Sequence, residues 1–102
     1  MTDRDWREFV SLRERARHRF AEETLARLLR VSLDESLSVA ERERRVFSLS
    51  DERRREQSAL FDDFCRATAS FRLHLMVRQR LLKRRELDNL SLEIRRAVGG
   101  AD

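Results

Sequence analysis

Trp6, Phe9, Val10, Ala16, Phe20, Thr24, Leu28 and Val31 fall on one face at about 100° per residue, which predicts a first helix over residues 3–31. Thr2 and Asp5 have the spacing of a capping box, with Asp in place of the usual Glu. Arg13 and Arg17 interrupt the stripe, so their side chains must reach outward or meet a partner. Residues 32–38 read as a connection. Ser38 with Glu41 repeats the capping spacing and opens a short helix over 39–47; Ser48 with Asp51 repeats it again and opens a long helix over 50–87. Leu60, Phe64, Phe71, Leu75 and Leu82 share a narrow face of that helix, with Ala67 and Thr68 at its edges. The aromatic core is expected to hold Trp6, Phe20, Phe64 and Phe71.

Leu87, Leu90, Ile94 and Val98 lie about 120° from that face, more than the ~20° of drift per heptad allows. A separate short helix over 89–98 is therefore predicted, closed by Gly99 and Gly100. Acid-to-arginine pairs four residues apart (Asp3–Arg7, Glu23–Arg27, Glu41–Arg45, Asp51–Arg55, Asp62–Arg66) run in the orientation that favours helix. Residues 71–75 alternate like a strand, but the sequence supplies no mate for one. The expected fold is all-α: a single domain, residues 1–102, in which the two long helices form an elongated hairpin or small bundle.

Composition agrees. Leu, Ile, Val and Phe make up 28 of 102 residues, enough to fold, and there is no proline and no glycine before Gly99. Charged residues reach 41%, a load that thin helical bundles carry because most of their positions face water. No apolar run exceeds three residues, so no membrane span is expected, and the opening residues lack the apolar stretch of a signal peptide, so the expected location is cytoplasmic.

Two surfaces stand out. Leu73, Met76, Val77 and Leu81 form a second apolar stripe nearly opposite Phe71 and Leu75. A helix apolar on two faces is buried on two faces. Either another helix of the chain covers this stripe or a protein partner does, and the length of the predicted helices favours the partner. The other surface is basic. Arg66, Arg72, Arg78, Arg80, Lys83, Arg84 and Arg85 lie in a stretch with no acid, within a chain of net charge +4. An arginine fork suits phosphate. However, 22 arginines against one lysine, with a single Asn, a single Ile and no Tyr, also describe a GC-rich coding sequence.

Catalytic, cofactor and metal sites are not expected. His18 and His74 are the only histidines, Glu14 precedes His18 by four rather than three, and no glycine-rich loop exists to cradle phosphate. Cys65 reads as a small buried hydrophobe. Asp62 and Asp63 sit on the polar side. The leading expectation is a non-catalytic helical interaction or adaptor protein that self-associates or docks on a larger protein through residues 71–82. The alternative is a small nucleic-acid-binding subunit using Arg72, Arg78, Arg80, Lys83, Arg84 and Arg85.

Overall fold

In the computed structural model, which describes residues 1–99, four α-helices and one 3-10 turn account for the regular structure and no strand occurs among the described residues. Helix α1 spans Asp3–Ser32. Its capping box forms as the spacing predicts: Thr2 Oγ1 accepts from the Asp5 amide at 3.0 Å, and the Asp5 carboxylate accepts from the Thr2 amide at 3.3 Å. Helix α2 spans Val39–Phe61, with Ser38 Oγ accepting from the Glu41 amide at 3.1 Å.

The expected division at residue 48 does not occur. Ser48 and Asp51 lie inside α2, where Val46, Leu49, Arg53 and Leu60 recur at three, four and seven residues and continue one face. With no glycine or proline to stop it, the helix has no end there for the capping motif to close. The hairpin therefore pairs α1 with α2, not with a helix over 50–87.

That predicted long helix is instead broken at residues 62–65. Asp62 is extended, Asp63 is left-handed at φ 56°, a region short polar side chains tolerate, and helix α3 restarts at Arg66–Arg78. The break is stitched. The Thr68 hydroxyl donates to the Asp63 carbonyl at 3.1 Å, while Arg72 reaches the Ala59 carbonyl and, at 3.1 Å, the Asp63 carboxylate. A second left-handed residue, Arg80 at φ 62°, follows α3. A 3-10 turn at Arg84–Leu87 then leads to helix α4, Leu92–Gly99, which packs on α3. Gly99 belongs to that helix; Gly100, expected to help close it, lies outside the described residues.

The break lets α3 turn a different face inward from the one periodicity suggested. Ala69, Leu73 and Met76 are fully buried, whereas Phe71 is 59% exposed and Phe64 49%. Phe64 lies on the surface against Trp6 (5.1 Å between centroids) and beneath the Arg13 guanidinium at 4.5 Å. Trp6 itself is half-buried, and of the four expected core aromatics only Phe20 is buried. Cys65, expected to be buried, is exposed at the start of α3.

The core joins Phe9, Leu12, Ala16 and Phe20 of α1 to Leu60 and Phe61 of α2, the inner face of α3, and Leu81, Leu82, Leu87, Leu90, Ile94 and Val98. Two polar clasps close it. Asp5 is buried and accepts from the amide and hydroxyl of Ser91, at 2.8 and 3.0 Å, which ties the start of α1 to the start of α4. Glu86 accepts from Arg19 at 2.7 and 3.0 Å and from Arg15 at 3.0 Å. All of this lies at one end. No residue from Ala21 to Glu52 is buried, so the outer halves of α1 and α2 project as a two-helix arm. The molecule measures 52 × 25 × 20 Å, and its radius of gyration of 16.5 Å exceeds the ~13 Å of a compact chain of this length.

Candidate functional site

At the root of the arm, Arg53 of α2 is 5% exposed and inserts between the helices. Its Nε donates to Thr24 Oγ1 at 2.8 Å, one terminal nitrogen donates to the Phe20 carbonyl at 3.3 Å, and the other pairs with Glu56 at 3.0 Å. Its guanidinium carbon lies 3.7 Å from the centroid of the Phe20 ring. Every edge of the cation is engaged, which is why a charge is tolerated where the surroundings are apolar. Arg53 thus forms the floor of a groove of about 330 Å³ between α1 and α2, lined on one side by Arg17, Ala21, Thr24 and Leu25 and on the other by Ser50, Arg54 and Gln57.

Toward the tip, the same two faces continue as apolar surface. Leu28 and Leu29 follow Leu25 by three and four residues, and Phe47 precedes Ser50 by three and Arg54 by seven, so each lies over its groove-lining neighbour. Val39 continues the α2 face eight residues before Phe47. Leu25 is 67% exposed, Leu29 58%, Phe47 63% and Val39 76%. The inner end of the groove is basic, at Arg17 and Arg54. Beyond its outer end, Glu43 shares the α2 face with Ser50 and Arg54 by helical spacing, and Asp34 and Glu35 lie in the turn at the tip. The nearby arginines Arg44 and Arg45 pair with Glu41.

The expected interface residues lie elsewhere. Leu73 and Met76 have no exposed surface, Leu81 is 3% exposed and Val77 packs half-buried against the same core. The stripe is covered within the chain, largely by α4, and this corrects the expectation that a partner reads it. No stretch of residues 71–82 offers the continuous apolar face the sequence implied.

The basic stretch divides. Arg66 pairs with Asp3 at 2.8 Å, and the Arg72 side chain, 15% exposed, is held by Asp63 and the Ala59 carbonyl, so neither is a spare cation. Arg84 donates to the Gly99 carbonyl at 2.8 Å. Arg78, Arg80, Lys83 and Arg85 are exposed and make no ion pair among the described residues. The acid that follows them, Glu86, is turned inward. Hydrogen bonding from Arg19 outweighs its burial and, with the Lys83 amide and Arg15, draws its pKa from 4.5 to about 2.

No family model, curated protein or solved structure matches this chain.

Other reactive groups are committed or solitary. His74 Nδ1–H donates to the Val98 carbonyl at 2.7 Å, and His18 sits 3.3 Å from Glu22 on the surface. Cys65 Sγ lies 3.4 Å from the Thr68 hydroxyl, which, with the backbone amides, draws the thiol below its ordinary pKa. Among the described residues, no three His, Cys, Asp or Glu side chains form a metal-binding group, and no helix is long and apolar enough to cross a membrane. The groove was missed because Leu25, Leu29 and Phe47 fall off the stripes that mark the hairpin seam. The signal was available. Residues 24–33 are apolar on two faces, the criterion applied to 71–82.

Proposed function

We propose that this chain is a non-catalytic helical interaction protein whose docking surface is the groove of the α1–α2 arm. One observation carries the reading: an arm of two helices with no buried residue keeps Leu25, Leu29, Val39 and Phe47 exposed, Leu25 lining the groove and the others continuing its two faces by helical spacing. Helices of this length gain most of their stability from packing an apolar face, and isolated ones are marginal in water. Contiguous apolar surface of this kind on a small protein marks a place for a partner. The groove is shallow and carries only arginine, serine, threonine and glutamine as polar lining, which suits side-chain packing better than chemistry.

The test is site-specific photo-crosslinking in producing cells, with a photoreactive residue at position 25 or 47 and controls at Glu14 and Arg44. Discrete adducts at 25 and 47 and none at the controls are expected. Equal labelling at all four positions, or none anywhere, would remove the docking reading.

A second reading rests on Arg78, Arg80, Lys83 and Arg85, which are exposed and make no ion pair among the described residues, the neighbouring Glu86 being engaged by Arg15 and Arg19. Residues 66–99 hold nine basic groups against three acids. If this end holds nucleic acid, the logarithm of affinity falls with that of salt by about 0.7–0.9 per phosphate contacted. Changing Arg80 and Arg85 to Gln then flattens the slope; binding undetectable at ~50 mM salt and micromolar protein disposes of the idea.

A further inference from the structure

We infer that the occupant of the arm's groove is the arm of a second copy of this chain, laid antiparallel across it to make a four-helix bundle. This rests on the reading of the arm as a docking surface and adds the partner and its direction. Three features of the arm point to a second copy.

The first is charge. Residues 21–52 carry eight carboxylates against five arginines, a net −3, while the remainder carries eleven carboxylates against eighteen basic groups, a net +7. Arm against arm thus sets a smaller like charge together than body against body. A partner recognised by opposite charge would be drawn instead to the basic body.

The second is the order of charges along the groove. Arg17 and Arg54 line the groove, and Glu43, Asp34 and Glu35 lie beyond it toward the tip of the arm. Arg17 and Glu43 make no ion pair within the chain among the described residues, while Arg54 lies 3.8 Å from the exposed Asp51. A parallel alignment sets like charges side by side. An antiparallel one brings Glu43 of each copy to Arg17 and Arg54 of the other, across the ~17 Å that separates residues 43 and 54 on a helix. Long-range steering and register follow from such complementarity.

The third is where the apolar groups fall. The two-fold axis of that arrangement passes midway between Glu43 and Arg54, beside Phe47 and Ser50 on α2 and Leu25 and Leu29 on α1. The largest exposed side chains of the groove therefore meet at the centre of a self-complementary patch, with the charges at its rim. The two basic bodies then sit at opposite ends, far beyond the ~8 Å over which physiological salt lets charges act. Antiparallel four-helix packing is a standard way for paired hairpins to close.

Sedimentation velocity of the full chain, from about 1 to 200 µM, reads the outcome directly. A dimer of twice 12.2 kDa is expected, elongated beyond the 52 Å of one copy. Phe47→Glu, which changes an exposed position and so spares the fold, should raise the dimer Kd by roughly thirty-fold, the effect of losing a central anchor. Glu43→Arg should weaken the dimer, and adding Arg17→Glu with Arg54→Glu should restore it. A dimer indifferent to Phe47→Glu uses another surface, and failure of the charge exchange to restore association rejects the antiparallel register; either overturns the inference. A monomer at every concentration overturns it too. If position 47 still crosslinks discretely in cells, the docking reading stands with a different protein as partner; if it does not, both fall together.

Discussion

Arg53 shows how one side chain can divide a helical hairpin into a body and an arm. Its guanidinium satisfies the Phe20 carbonyl and Thr24 hydroxyl of the facing helix while stacking on the Phe20 ring. A lysine would keep the charge and lose the planar fork. Arg53→Lys is accordingly expected to lower stability by about 2–3 kcal/mol in urea denaturation, the range for hydrogen bonds to charged groups. A change below about 0.5 kcal/mol, as for ordinary surface substitutions, would show that the contact is ornamental. Glu86 has a different consequence. Its pKa is depressed on folding, so the stability it contributes is present above about pH 4.5 and is lost as pH falls toward 2. Burial pushes Asp5 up, but the hydrogen bonds from Ser91 and Thr2 outweigh it and leave it below its ordinary value, so it acts in the same direction. Thermal melts between pH 5 and pH 2.5 should therefore fall in midpoint, and Glu86→Gln should make the fall shallower. An identical slope in the variant would mean that Glu86 is not the group being titrated.

At the scale of elements, α3 carries the main lesson. Leu73→Ala should cost ~2–5 kcal/mol, as for other buried leucines, while Phe71→Ala should change stability by no more than ~0.5 kcal/mol. Equal effects in denaturant titrations would mean that α3 is rotated from the orientation described. Helical class, the start of α1 and the α1 core positions Phe9, Ala16 and Phe20 were legible from periodicity and one capping box. The break at residues 62–65 was not. Asp62-Asp63 contains neither glycine nor proline, and what fixes it is tertiary: Arg72 bridging to Asp63 and the Ala59 carbonyl. Once that break is missed, phase is carried across it, and Phe64 and Phe71 are assigned to the core in place of Leu73 and Met76. Charge was misread for a related reason. Arg72 has no acid within eight residues along the chain, yet Asp63 reaches it in space, and Arg66, spaced to pair with Asp62, pairs with Asp3 instead.

Across the whole molecule, burial is unevenly shared. The body holds every buried residue, and the arm holds only half-buried seam positions such as Leu28, Val46 and Leu49. Hydrogen exchange on dilute protein should therefore divide in two, with the amides of residues 24–48 opening locally at well below the global free energy and those of residues 9–20 and 69–76 exchanging only on global unfolding. Uniform protection at concentrations where the chain is monomeric would show that the arm is rigid without a partner. The exposed groove was the least legible feature of all, because exposure is a property of the assembled hairpin: Leu25 and Phe47 look like ordinary helix positions until α1 and α2 are placed side by side.

The clasp between Asp5 and Ser91 also fixes when the body can exist. These residues stand 86 positions apart. During synthesis at about 5–20 residues per second, the carboxylate near the start waits several seconds for its hydroxyl. Through that interval α1 and α2 can already meet through local contacts, but α1 lacks the cover of α3, and α3 lacks that of α4. The nascent chain therefore holds an open apolar surface and a carboxylate still in water, and both close in one late step. Closure of the body is therefore timed by the arrival of α4.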